Sequence, residues 1–544
     1  MTLTRSYMVG EGTGQLLYET IGECFDRVVD ANPDNTAIVV RHQGIRKSYA
    51  ELRAEAEQLA TGLLALGIEP GNRVGIWGPN SYEWVLTQLA TAEMGAILVC
   101  INPAYRLFEL EYVLEKVDCK AVIAAEKFKT SDYLAMLDEV RPKLPNLEFV
   151  IRMGDEPRDG MLNFADVCRM GGDAERQRLG PLKAMLKPDD AINIQFTSGT
   201  TGAPKGATLT HMNILNNGKN TANGMGFTPD DSLCIPVPLY HCFGMVLGVL
   251  ACVTSGATMV FPNDAYDPES TLQAVQDERC TALHGVPTMF VTELDHPRFG
   301  EFDVSTLRTG LIAGAPCPEE LMIRIIGEMN MENVLIGYGQ TEVSPVNHMT
   351  LPNDTLENRT QTVGRPIPYV EIKIVDKDDH VVPVGEQGEI CTRGYSVMKG
   401  YWNDDERTAE TIIDGWLHSG DLGIMDAHGY VRITGRIKDM IIRGGENIYP
   451  REVEEFLYTH PKISEVQVFG VPDARMGEQV CAWIQLKHGQ SATADEIIDY
   501  CKDKITHFKI PKHVRFVDEY PMTVTGKIRK IEMREMMSEE LGLT

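Results

Sequence analysis

From residue 47 to 125 the chain alternates between two hydrophobic rhythms. Tyr49 to Leu66 carries apolar residues at helical spacing, and Gly67 follows as a stop signal. Arg73 to Trp77 is a short apolar run of strand length. Tyr82 to Met94 returns to helical spacing, Ala96 to Ile101 is again strand-like, and Ala121 to Ala125 repeats the theme. Strands alternating with helices in this way predict a parallel α/β sheet. The same rhythm resumes over residues 233–350, with strands expected at Ala257–Phe261 and Thr309–Ala313. From about residue 365 the texture changes to strands and tight turns, at Val370–Val375, Gly388–Thr392 and Gly429–Thr434, which predicts a small β subdomain. The last hundred or so residues read as a small α+β unit, and the domain boundary is expected between Arg436 and Asp439.

Composition narrows the class of partner. The chain has 544 residues, of which 43% are apolar and 24% charged, as in an ordinary globular protein. Its formal net charge of −27 disfavours nucleic acid and anionic membrane surfaces, both of which reward Lys/Arg patches. The twelve cysteines are scattered and form no Cys-x-x-Cys pair, so zinc and thioredoxin-type readings fall away and a reducing compartment is expected. Cys242 to Pro262 is the longest uncharged apolar stretch. Its glycines and hydroxyls favour a buried helix, a turn and a strand over a membrane span.

The densest chemical signal is the loop Thr197, Ser198, Gly199, Thr200, Thr201, Gly202, Ala203, Pro204, Lys205, which follows an expected strand at Ala191–Gln195. Glycines let backbone N–H groups approach an anion, hydroxyls add donors and the lysine adds charge. This composition predicts a phosphate site. It is not a P-loop, which needs Gly-Lys-Ser/Thr at the start of a helix, because Pro204 stands where that loop keeps free N–H groups.

Five more segments complete a pattern. They are Pro238–Gly244, with His241 among aromatics; Ala313–Pro316; Gly337–Glu342; Ser419–Asp421; and Pro521–Lys527. In this order the six segments resemble the adenylate-forming superfamily, over about Leu16 to Arg534. Three further segments, His284–Val291, Met440–Pro450 and His507–Lys512, are similar to the medium-chain fatty acyl-CoA synthetases within it.

That resemblance implies an α/β enzyme. Its large N-terminal domain (1–436) would hold two α/β subdomains and a small β-barrel-like one. A hinge at 437–438 would join it to a small mobile α+β domain (439–544). It implies ATP, Mg²⁺ and CoA as cofactors. A carboxylate attacks the α-phosphate to give acyl-AMP and pyrophosphate, and the CoA thiolate then displaces AMP. The obstacle in the first step is charge, so positioned cations and donors are expected to carry it.

By resemblance, Thr197 to Lys205 would hold the β- and γ-phosphates. Thr341 would donate to the α-phosphate, and Glu342 would hold Mg²⁺, a hard cation that takes oxygen ligands. Gly314, Ala315 and Pro316 would line the adenine slot, with Tyr338 stacking on the base and Gly339 among the nucleotide-binding residues. Asp421 would accept the ribose hydroxyls, and Arg436 would contact ribose or phosphate. Lys527 would bridge the attacking carboxylate and the α-phosphate. Lys438 would be the hinge residue, and Gly444 and Gly445 would line a CoA channel. The acyl pocket would lie near His241, Phe243, Met245, Val286, Gly337, Gly339 and Val343, with the small Gly337 leaving room for an alkyl chain.

A medium-chain fatty acid is the favoured substrate. A short-chain or aryl acid, or an acceptor other than CoA, is the alternative. No carboxylate stands near His241 to pair with an amino group, which weakens an amino-acid-activating reading. The partners expected are small molecules, without nucleic acid or an integral membrane segment, and members of this superfamily are often homodimers. Without an Arg-rich, acid-poor leader, the expected setting is cytoplasmic and bacterial.

Overall fold

The computed structural model describes residues 2–12, 14–154, 156–197, 204–444, 446–502, 504–522 and 528–543. The chain divides into two compact units. The larger comprises Val9–Glu371 and Thr392–Leu417, and the smaller Met1–Met8, Ile372–Cys391 and His418–Thr544.

In the larger unit the expected elements form where the pattern placed them. The first long helix runs Tyr49–Ala65. Ser48 and Glu51 close a capping box at its start, and Gly67 takes φ +78° after its end. The next helix is Tyr82–Met94, closed by Gly95 at φ +77°. Strands Arg73–Trp77, Ile97–Cys100 and Ala121–Ala125 pair in parallel within an eight-stranded sheet. Ala191–Thr197 joins the sheet in parallel beside Ile97–Cys100, and then turns back as Lys205–Thr210 in an antiparallel hairpin. Gly400–Tyr401 adds the edge.

A second, nine-stranded sheet contains Ser232–Cys234, Thr258–Phe261, Ala282–Leu283, Thr309–Ala313 and Asn333–Tyr338 as parallel neighbours. Ala313 sits opposite Gly337, so the turns that leave these two strands emerge side by side. Ligand sites in α/β sheets gather at the carboxyl ends of parallel strands, and these turns lie there. The apolar stretch after Cys242 forms a π-helix, Phe243–Leu250, then the helix Ala251–Ser255 and the strand Thr258–Phe261. Helix, turn and strand were expected. The π winding was not, because an all-apolar run carries no period to distinguish it. Among the described residues no helix is long and apolar enough to cross a membrane.

A further sheet places Val370–Val375, Gln387–Gly394 and Trp416–Met425 as successive neighbours, with Val431–Arg436 paired to the last. The smaller unit holds a five-stranded sheet. Its long antiparallel pair, Ile463–Asp473 with Gly477–Leu486, packs Val466, Val468, Val480 and Ile484 into a core with Val453, Leu457 and Ile497. Strands with helices around them make this the expected α+β unit.

Candidate active site

In the larger unit the hairpin Ala191–Thr197/Lys205–Thr210 flanks the segment expected to hold phosphate. Thr197 pairs with Lys205 and Phe196 with Gly206, so the lysine is fixed at the mouth of the hairpin. Ser198, Gly199, Thr200, Thr201 and Gly202 lie outside the described residues. The Lys205 ammonium stands 4.8 Å from the centre of the Tyr401 ring, within cation–π range. The Tyr401 hydroxyl donates to Glu342 Oε1 at 2.8 Å, and burial beside that carboxylate pushes the phenol pKa up. Lys205, Tyr401 and Glu342 therefore form one charged chain. The Glu342 backbone carbonyl accepts from Met398 N at 3.0 Å, which fixes the turn that carries it.

Thr341, Glu342 and Val343 make a short 3-10 turn after the strand Asn333–Tyr338. Gly339 packs against the chain just beyond this turn. A Cβ there would lie 2.1 Å from the Pro345 carbonyl oxygen, so no side chain fits. The Thr341 side chain lies beside the Cys242 thiol, which brings the turn next to the segment holding His241 and Phe243. Val343 is buried, and its carbonyl accepts from Asn217. The Tyr338 ring lies 5.6 Å from that of His348, whose burial pulls its pKa down to about 3 and keeps it neutral. Gly314 adopts φ +89° on the exposed turn with Ala315 and Pro316, and a Cβ on it would touch Val286 at 3.4 Å.

The expected acyl-pocket residues fall into small contact groups. His241 Nδ1 accepts from Phe243 N at 3.1 Å. The Phe243 ring tilts against His284 at 5.3 Å. His284 accepts at Nδ1 from Leu311 N, so its proton sits on Nε2 and is given to the Leu247 carbonyl. Burial lowers its pKa to about 4. The Met245 sulfur accepts from Gln195 Nε2 at 2.8 Å, tying this region to the strand that leads into the phosphate loop. Gly337 is buried within its strand, and the room beside it is taken. A Cβ on Gly337 would meet the Leu311 side chain at 3.1–3.3 Å. An alkyl chain that runs past Gly337 must therefore move Leu311.

The smaller unit carries the remaining candidates. Asp421 pairs in register with Arg436, whose Nε donates to Asp421 Oδ1 at 2.7 Å. The Asp421 side chain is 5% exposed and that of Arg436 61%, so the carboxylate is held inside while the guanidinium reaches outward. Asp421 N donates to Ser419 Oγ, and Gly420, at φ +72°, donates its N–H to Glu389 Oε1 at 2.8 Å. Lys438 lies in the 3-10 turn Ile437–Asp439. Gly444 turns at φ +61° and donates to the Met476 carbonyl, while Gly445 and Lys527 lie outside the described residues.

Sequence reasoning passed over Tyr401, Gln195, Cys242 and Leu311 as site residues. Tyr401 had one available signal, its place beside the aromatic Trp402 after Lys399-Gly400. The others read as ordinary core positions.

The larger unit thus sets a lysine at the mouth of a hairpin and a carboxylate turn at the carboxyl ends of parallel strands, and the smaller unit holds a buried aspartate paired with an arginine. The AMP-binding enzyme family matches residues 25–402, and the AMP-binding enzyme C-terminal domain matches residues 452–527. The chain belongs to this family. It is 47% identical over 559 aligned residues to the medium-chain acyl-CoA ligase ACSF2, mitochondrial, of Danio rerio, covering 100% of this chain and 92% of that one. Among solved structures, the anthranilate CoA ligase AuaEII in complex with anthranoyl-AMP is similar at a TM-score of 0.85. Its identity is 28%, over 97% of this chain and 99% of that one. ATP-bound MatB from Rhodopseudomonas palustris is similar at 0.83, with 30% identity over 95% and 99%. These likenesses carry the expected α/β architecture with a large N-terminal and a smaller C-terminal domain. The expected cytoplasmic setting is corrected by the relatives. The Danio rerio enzyme and the mammalian enzymes of the same name are mitochondrial. The physical reason is that targeting is written in a removable leader, not in the folded enzyme.

Proposed function

We propose that this chain is an ATP-dependent, AMP-forming acyl-CoA ligase that activates a medium-chain fatty acid as acyl-AMP and passes the acyl group to CoA. The observation that carries this reading is the 47% identity, over the whole chain, to a medium-chain acyl-CoA ligase. The Lys205–Tyr401–Glu342 chain supports it, since it gathers a cation and a carboxylate beside the phosphate hairpin.

In this reading Lys205 and the hairpin loop hold the β- and γ-phosphates and neutralise the leaving pyrophosphate. Thr341 donates to the α-phosphate. Gly314–Pro316 and Tyr338 take the adenine, Asp421 the ribose hydroxyls, and Arg436 the ribose or phosphate edge. Lys527 bridges the two reacting anions. Glu342 fits Mg²⁺, because it offers a hard oxygen donor whose orientation the Tyr401 hydroxyl fixes. One protein carboxylate with substrate phosphates is how this ion is usually held. The bound ion would supply charge neutralisation at the phosphates. The large domain would extend to Arg436, and rotation about Lys438 would exchange Lys527 for Gly444 and Gly445 along the CoA path. The acyl chain would lie among His241, Phe243, Met245, Val286, Gly337 and Val343.

The test is AMP and pyrophosphate release from ATP, with and without CoA, across acids from acetate through octanoate to palmitate, plus benzoate. CoA-dependent turnover peaking near octanoate is the expected result. Pyrophosphate release that never depends on CoA would overturn the acceptor assignment, and a peak at acetate or benzoate would overturn the acid.

A further inference from the structure

In the smaller unit the strand Trp416–Met425 turns left-handed just before Asp421. Gly420 stands there at φ +72°. A Cβ on it would meet nothing within 4 Å, so the position needs glycine for its backbone and not for space. The N–H groups at this kink go to side chains. Gly420 N donates to Glu389 Oε1 at 2.8 Å, and Asp421 N donates to Ser419 Oγ at 3.0 Å. Ser419 belongs to the kink itself, whereas Glu389 comes from the neighbouring strand Gln387–Gly394. Glu389 therefore ties the kink to the sheet.

The same carboxylate holds a second point of the segment. Glu389 Oε2 lies 2.9 Å from His418 Nδ1, and since an ionised carboxylate only accepts, the ring nitrogen donates. The side chains of His418 and Glu389 are 15% and 20% exposed, so water competes little with this contact. The hydrogen bond to Glu389 raises the His418 pKa above the ordinary imidazole value. One oxygen of Glu389 thus fixes residue 418 and the other fixes residue 420. Directly after them the Asp421 side chain is buried and accepts at Oδ1 from Arg436 Nε at 2.7 Å. Where that carboxylate sits follows from how the backbone of 418–420 is held.

We propose that Glu389 is a positioning residue for the nucleotide ribose: by holding His418 and Gly420 at once, it presets the Asp421 carboxylate to receive the ribose hydroxyls. The inference rests on the assignment of the ribose to Asp421 made above. A carboxylate suits the place because each of its two oxygens accepts independently. Glutamine offers one acceptor oxygen and keeps one of the two donors, and alanine keeps neither. A kink that must be ordered when the nucleotide arrives costs affinity, and a kink already held does not. Glu389 acts through Asp421 and does not itself touch the nucleotide.

The test is the ratio of kcat/KM for ATP to that for 2′-deoxy-ATP, measured on the full chain by AMP release with the acid that turns over fastest. Asp421→Ala should bring the ratio close to one. Glu389→Gln should lower the ratio by roughly 10-fold, about the loss of one hydrogen bond to a charged group, while the KM for the acid stays unchanged. Glu389→Ala should lower it further. A residue that only supports the fold would slow both nucleotides alike and leave the ratio where it was, and that result in Glu389→Gln overturns the proposal. A ratio that stays high in Asp421→Ala removes the ribose assignment itself, and the proposal with it. Glu389→Gln and Asp421→Ala decide the question even if Glu389→Ala does not fold.

Discussion

Leu311→Ala tests whether the acyl chain passes Gly337. Leu311 is fully buried, and its branch carbons lie 3.1–3.3 Å from where a Cβ on Gly337 would stand. Truncation removes three carbons from that contact and opens space against a residue that has no side chain. Stability should fall by about 2–5 kcal/mol, the usual cost of such a cavity. A longer acid can refill the space. At about 0.8 kcal/mol per buried methylene, three refilled carbons are worth roughly 2.4 kcal/mol. That corresponds to about a 60-fold swing in kcat/KM toward the longer acid, as an upper bound. The assay is kcat/KM for AMP release across an even-numbered series from hexanoate to palmitate, on wild type and variant, with the thermal midpoint read alongside. Adding Gly337→Ala to the variant should return part of the swing, since the new Cβ occupies the vacated space. An unchanged chain-length profile, in a variant whose lowered midpoint shows that the cavity exists, would refute the placement of the chain.

Two further predictions concern mechanism and stability. Lys527→Ala should abolish acyl-AMP formation yet leave thioester formation from supplied acyl-AMP largely intact, whereas Lys438→Pro should do the reverse; equal loss of both half-reactions in either variant would remove the assigned role. Glu93 is buried with neither carboxylate oxygen hydrogen-bonded, and burial pushes its pKa up to about 8 even though Lys183 stands 3.6 Å away. From the ordinary carboxyl range up to that value, the folded state keeps a proton that the unfolded chain has lost, so stability falls by about 1.4 kcal/mol per pH unit as pH rises. Glu93→Gln should match wild type near pH 5 and exceed it by a few kcal/mol near pH 8 in urea unfolding. An identical pH slope in both proteins would show that Glu93 is ionised against Lys183.

Local order was legible because it is written at short range. The capping box at Ser48, the stop at Gly67 and the alternation through residues 73–125 each depend on residues within a few positions, so their spacing suffices. The phosphate loop was legible for the same reason, since glycine, hydroxyl and lysine must be contiguous to line one turn. The chemistry around it was not. Tyr401 reaches Glu342 across 59 residues of chain and stands over Lys205, and neither partner marks the other in sequence. Gly337 reads as open space until the neighbouring strand puts Leu311 over it. The cysteines are scattered along the chain, yet strand order sets Cys391 beside His418 and Asp379, three residues drawn from separate segments. What the sequence determined alone was the set of elements and the candidate chemistry each carries. Which side chains share a space was decided by sheet order and register, because a contact between distant segments is a property of packing and has no local period to reveal it.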